Sequence, residues 1–176
     1  MTADFTPDAC YEVLSVGRAS SLDYGSLDKT LRAGLKTADP LVWSVLACVA
    51  GLHELHRQAL QECADQIGLI QYGDGFPRAT ASRVFEEIRS RRRVSPNTFV
   101  NANAGAALSV CCTKLGYRGP TINLTMPRVQ AQAIAQVLAA RWLRDAHAAY
   151  LYFVATSDGG EGGFQVEGTL VRRVAS

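Results

Sequence analysis

The sequence predicts an α/β layered fold built on a mostly parallel sheet with an antiparallel edge strand, and three observations point there. Strand-length apolar runs alternate with longer segments of helical period. One run, Ala148 to Thr156 (AAYLYFVAT), is almost continuously apolar, as in a strand buried on both faces. The chain then closes on two strands in succession, with only a glycine-rich loop between them.

The elements follow in order. Tyr11 to Gly17 (YEVLSVG) reads as the first strand. Arg18 to Pro40 is rich in Ser, Gly and Asp, with a short helical pattern around Leu27, Leu31 and Leu35. Val42, Val45, Leu46, Val49, Leu52, Leu55 and Ala59 recur at three- and four-residue spacing, which predicts one long helix from Val42 to Cys63 started by Asp39-Pro40. Gln66 to Tyr72 is a strand ended by Gly73-Asp74-Gly75. Ala79 to Arg92 is helical, with Val84, Phe85 and Ile88 on one side, and Val94-Ser95-Pro96 breaks it. Phe99 to Leu115 is a small-residue helix, Gly116 to Pro120 a turn, and Thr121 to Thr125 a strand. Pro127 opens the next helix, whose apolar residues are Ile134, Val137, Leu138 and Trp142. After the Ala148 to Thr156 strand and the Ser157 to Gly163 loop, Phe164 to Val174 alternates like a half-exposed final strand.

At 176 residues, 48% hydrophobic and 19% charged, the chain fits one domain, residues 1–176, and excludes a disordered or collagen-like polymer. A formal charge of +2 gives no global drive towards nucleic acid or membrane. The apolar content implies a face covered by a partner. Five cysteines without a CxxC pair, and an N-terminus (MTADFTPDAC) lacking a basic and apolar leader, predict reduced thiols in the cytoplasm. The apolar run Leu41 to Leu52 is too short for a bilayer, which takes about 20 residues.

Several motifs invite a chemical reading. His53-Glu54-Leu55-His56 is not HExxH, and only His147 remains to complete a metal site, so no metal and no cofactor are expected. The glycine loops at 73–75 and 159–163 lack a phosphate-binding fingerprint; a strand, not a helix, follows the second. Arg89, Arg91, Arg92 and Arg93 at a helix end either complement the helix dipole or form a docking patch for an acidic partner. Cys111-Cys112 lies mid-helix with only Lys114 nearby, the setting of buried structural thiols, not of activated nucleophiles.

The stretch Val94 to Arg128 (VSPNTFVNANAGAALSVCCTKLGYRGPTINLTMPR) resembles the ketosynthase branch of the thiolase-like superfamily. There a Ser-Pro and an Asn/Ala/Gly-rich helix lead through a Gly-x-x-Gly-Pro turn and a strand to the nucleophile helix. Tyr11 to Gly17, Ile67 to Gly75 and Ser157 to Val174 (with its Gly-Glu-Gly stretch) are similar to flanking parts of the same N-terminal half. The resemblance implies a single ketosynthase N-terminal-like domain with a three-layer half fold: a five-stranded sheet with helices on both faces.

It also implies a missing nucleophile. Nine residues beyond Gly119, where an active ketosynthase places cysteine, stands Arg128, and a guanidinium is no nucleophile at neutral pH. No cysteine follows Cys112, and the family's two active-site histidines belong to a C-terminal half that this sequence lacks. The expectation is a non-catalytic, chain-length-factor-like subunit of a type II polyketide or fatty-acid-like system. It would pair with a ketosynthase or with itself. Asn101, Asn103, Thr125 and Arg128 would line the acyl-binding interface, and Arg89, Arg91, Arg92 and Arg93 would meet an acyl carrier protein. The alternatives are a small acyltransferase or cyclase of secondary metabolism using Cys111 or Cys112, and a homodimeric acyl-binding module.

Overall fold

A computed structural model of the chain describes residues 10–160 and 163–174, with residues 21–23 described by their backbone alone. The first nine residues, on which the leader reading rests, and Glu161-Gly162 of the glycine loop lie outside the described residues. Five strands, β1 (Tyr11–Ser20), β2 (Ile67–Gly73), β3 (Thr121–Leu124), β4 (Tyr150–Asp158) and β5 (Phe164–Arg173), form one sheet. The helices are α1 (Lys29–Arg32), α2 (Pro40–Leu55), α3 (Arg57–Glu62), α4 (Arg78–Arg91), α5 (Pro96–Asn101), α6 (Ala106–Leu115) and α7 (Arg128–Arg144).

The sheet order is β1-β5-β4-β2-β3. β2 runs parallel to β3 and β4, while β5 is antiparallel to both β4 and β1. The mostly parallel sheet with helices on both faces is therefore as expected, but the antiparallel strand is not at the edge. β5 is inserted second, and β1 and β3 are the edges. Its alternation misled because Glu167 and Thr169, polar residues on one face, are largely covered.

Strand alternation divides the core. One face packs Leu69, Tyr152, Val154 and Leu170 against Val45, Leu46 and Val49 of α2 and Leu108 and Cys111 of α6. The other packs Ile70, Tyr72, Leu151, Phe153 and Val171 against Ala131, Ala135, Ala139 and Leu143 of α7. Three alanines at four-residue spacing keep α7 close to the sheet. The larger residues expected to be that helix's buried side are displaced from it. Ile134 is 41% and Val137 70% exposed, while Leu138 and Trp142 are half-buried against the chain's own core.

Two predicted helices are split. The long one breaks at His56 (φ −130°, ψ 22°), giving α2 and α3. The Phe99 to Leu115 segment becomes α5 and α6 around the Asn103-Ala104-Gly105 turn, where the Asn103 side chain accepts from the Gly105 N–H at 2.7 Å. Asp39 ties two helix starts together: one carboxylate oxygen accepts from the Leu41 N–H of α2 (3.1 Å), the other from the Thr80 N–H of α4 (2.9 Å). Gly119 lets the turn before β3 cross β2, since a Cβ there would overlap the Ile67 carbonyl.

Candidate functional site

In an open α/β sheet, the carboxyl ends of the parallel strands are where ligands gather. Here β2, β3 and β4 end beside the first turn of α7. Pro127 precedes that helix, no side chain caps it, and Arg128 is its first residue. The unpaired N–H groups and the dipole make this end electropositive.

Arg128 Nη2 donates to Glu167 Oε2 on β5 at 2.6 Å, and Arg18 Nη2 on β1 lies 3.2 Å from Glu167 Oε1. Arg18 and Glu167 are direct cross-strand partners, so the register of β1 on β5 delivers the second guanidinium. The hydrogen bond from Arg128 holds the Glu167 carboxyl below the usual carboxylate range, and Arg18 adds to the effect. Tyr72, at the end of β2, is buried against the same charges; burial pushes its phenol up to about 12, so it remains a proton donor at neutral pH. Glu167, Arg18 and Tyr72 are the site residues that sequence reasoning missed, because only strand pairing brings them to Arg128.

The other expected residues fall in two places. Thr125 is exposed in the β3–α7 connection, at the same end as Arg128. Asn101 and Asn103 lie in a groove of about 390 Å³ between α5 and α6, with Phe99, Val100, Ala106 and Val110. No hydrogen bond among the described residues joins the two pairs directly. The link is Asn123 of β3, whose side-chain amide donates to the Ala104 carbonyl in the groove's loop.

Arg89, Arg91, Arg92 and Arg93 are all exposed at the end of α4 and just beyond it, and no ion pair among the described residues involves them. Beside them, Phe85 is 73% exposed, and Ile88, Phe99 and Val100 also face outward. Cys111 is fully buried and Cys112 half-buried. Burial pushes both thiols up, away from the thiolate that nucleophilic chemistry needs.

The two helical histidines are engaged separately. His53 Nδ1 meets the Tyr117 hydroxyl at 2.7 Å inside the core, and His56 Nε2 meets the Ser15 hydroxyl at 3.1 Å. Among the described residues no group of three His, Cys, Asp or Glu side chains could hold a metal ion, and no helix is long and apolar enough to cross a membrane.

No protein-family model matches the sequence, and no curated protein matches it. Solved structures do. The ishigamide ketosynthase/chain length factor superposes with a TM-score of 0.72 at 11% identity, over 93% of this chain and 62% of that one. A chain of the ketosynthase ApeO in complex with its chain length factor ApeC, from Xenorhabdus doucetiae, gives 0.65 at 9% identity, over 96% of this chain and 81% of that one. The type II polyketide complex of the ketosynthase AntDE with its acyl carrier protein AntF gives 0.64 at 10% identity, over 93% and 62%.

The fold is therefore the thiolase-like fold shared by ketosynthases and chain length factors. This chain spans about three fifths of the length of the first and third of these structures (62% of each).

Proposed function

We propose that the protein is a non-catalytic, chain-length-factor-like subunit that pairs with a ketosynthase and shapes an acyl-binding site. What supports this reading is Arg128: the residue that the sequence resemblance sets at the nucleophile position of a condensing enzyme is a guanidinium at the head of α7, committed to an ion pair with Glu167. A cysteine-based acyltransferase or cyclase is disfavoured, because burial keeps Cys111 and Cys112 protonated.

Exposed apolar residues at two places suit a protein partner: Ile134 and Val137 on α7, and Phe85, Ile88, Phe99 and Val100 on α4 and α5. β3, a four-residue edge strand, offers its outer backbone to such a partner as well. The groove holding Asn101 and Asn103 then opens towards the partner and contributes to the acyl site together with Thr125 and Arg128. Arg89, Arg91, Arg92 and Arg93 form a basic rim that suits an acyl carrier protein, an acidic partner. The complexes of ketosynthases with a chain length factor and with a carrier protein, cited above, support this reading of a shared fold.

The test is co-expression with a type II polyketide ketosynthase, followed by size-exclusion chromatography with light scattering. A one-to-one complex is expected. Phe99→Asp and Val137→Asp should weaken it while leaving the thermal midpoint of the isolated chain within about 2 °C, since surface substitutions cost within about 0.5 kcal/mol. A chain that stays apart from the ketosynthase, or a complex indifferent to both substitutions, would refute the proposal. A stable homodimer in place of that complex would favour the acyl-binding module.

A further inference from the structure

We propose that Ser15 and His56 form a nucleophile–base pair that takes an acyl group from small neutral esters. The pair lies on the α2 side of the sheet, the face opposite α7. The proposal goes beyond the subunit role and holds whether or not the chain pairs with a ketosynthase.

Two irregularities bring the pair together. Along β1, Tyr11 and Val13 lie on the α7 side, Val13 opposite Val171, and unbroken alternation would put Ser15 there too. The register slips by one between Val13 and Ser15. Leu14 is left without a partner on β5, and Ser15 comes to lie opposite Leu170, on the α2 side. The second irregularity is the break between α2 and α3 at His56 (φ −130°, ψ 22°). From that break the imidazole reaches the edge strand, with Nε2 3.1 Å from Ser15 Oγ. No Gly or Pro stands at either irregularity, and this contact is what they share. Bulges recur beside active sites, where they re-aim a side chain.

The pair has the parts that acyl transfer needs. With the ring proton on Nδ1, His56 Nε2 accepts from the Ser15 hydroxyl, the arrangement of a serine activated by a general base. Both residues are half-buried, so solvent reaches them. Leu14, outside the ladder and next to the nucleophile, supplies an N–H for the oxyanion. His56 also lines an open pocket of about 500 Å³, with apolar Leu55 and Ala59 and the Glu54–Arg57 ion pair. Glu62 gives that lining a net negative charge, which favours a neutral acyl donor over a carboxylate.

The Ser15 oxygen attacks the ester carbonyl as its proton passes to His56 Nε2. The tetrahedral oxyanion then collapses, the bond to the leaving oxygen breaks, and the proton held on His56 goes to that oxygen. Water repeats the sequence on the acyl-serine, releasing the acid and restoring the hydroxyl.

Mixing the full chain with p-nitrophenyl acetate at neutral pH tests the assignment. A burst of about one equivalent of p-nitrophenolate is expected, and peptide mass spectrometry should find the acetyl group on Ser15. Ser15→Ala should remove both burst and adduct. His56→Gln should slow the burst about 100-fold, the scale of general-base catalysis. Ser15→Cys should keep a burst that still depends on His56. Circular dichroism reports the fold of each variant, and the position of the acetyl group on the parent chain decides even where a variant does not fold. Acetyl groups on lysines alone, with none on Ser15, would overturn the proposal. So would the absence of a burst, or a burst unchanged in Ser15→Ala or in His56→Gln.

Discussion

Replacing Tyr117 by Phe removes one oxygen from the core and leaves its shape unchanged. That oxygen is the middle of a chain: it lies 2.7 Å from His53 Nδ1 and 3.0 Å from the Tyr152 hydroxyl, with the rings of Tyr117 and Tyr152 stacked at 5.8 Å. All three side chains are buried. With His53 Nδ1 as the acceptor, the Tyr152 hydroxyl donates to Tyr117 and the Tyr117 hydroxyl donates to His53, so both phenolic protons are used. In Tyr117→Phe two buried groups lose their partner at once, at about 1–3 kcal/mol each, and partial relaxation brings the sum to about 2–4 kcal/mol. For a domain of this size about 2–4 °C is lost per kcal/mol, so the thermal midpoint should fall by about 5–15 °C. Tyr152→Phe removes only the end of the chain and leaves the pair of His53 and Tyr117 intact. It should cost about 1 kcal/mol, or about 2–4 °C. Thermal and urea unfolding of both variants, followed by circular dichroism, decides the matter. If the two substitutions prove equally harmful, or Tyr117→Phe is silent, the bridging role is wrong.

Burial also holds His53 below the ordinary histidine range, so the folded chain keeps it neutral. As pH falls through about 6.5 the unfolded chain takes up a proton that the folded chain refuses, so this contribution is full above about 6.5 and is lost below it. The slope of the thermal midpoint between about pH 7 and pH 5.5 should accordingly flatten in His53→Asn. Gly119→Ala places a methyl on the Ile67 carbonyl and should cost about 2 kcal/mol or more, read as loss of soluble, cooperatively folding protein. Burial raises the Cys48 thiol to about 12 and pushes the Cys111 thiol higher still. Iodoacetamide at neutral pH should therefore leave both unmodified in the native chain and label both in urea, as peptide mass spectrometry will show.

Much of this architecture is legible in the sequence because periodicity and punctuation are local. The order of strands and helices, the Asp39-Pro40 start of α2 and the position of Arg128 at the head of α7 all follow from neighbours in the chain. What escaped depends on distant pairing. Gln165, Glu167 and Thr169 look like the wet face of an edge strand, yet Glu167 is turned inward by Arg128 and Arg18, so the alternation reports a polar site, not solvent. The break at His56 carries no Gly or Pro, and Leu55 and Ala59 continue the apolar period straight across it. Alanines 131, 135 and 139 were overlooked as the buried stripe of α7 because size, not apolarity, decides which side can approach the sheet.

The placement of β5 has a consequence for synthesis on the ribosome. Among the described residues β1 makes its ladder with β5 alone, from Tyr11 against Arg173 to Ser20 against Gln165, so of the five strands the earliest made has no partner until the last one follows. β2, β3 and β4 can assemble earlier around α7, while β1 must wait, exposing backbone that another nascent chain could capture. Clipping the closing strand would therefore release two strands, not one, and uncouple the guanidinium of Arg18 from the rest of its cluster.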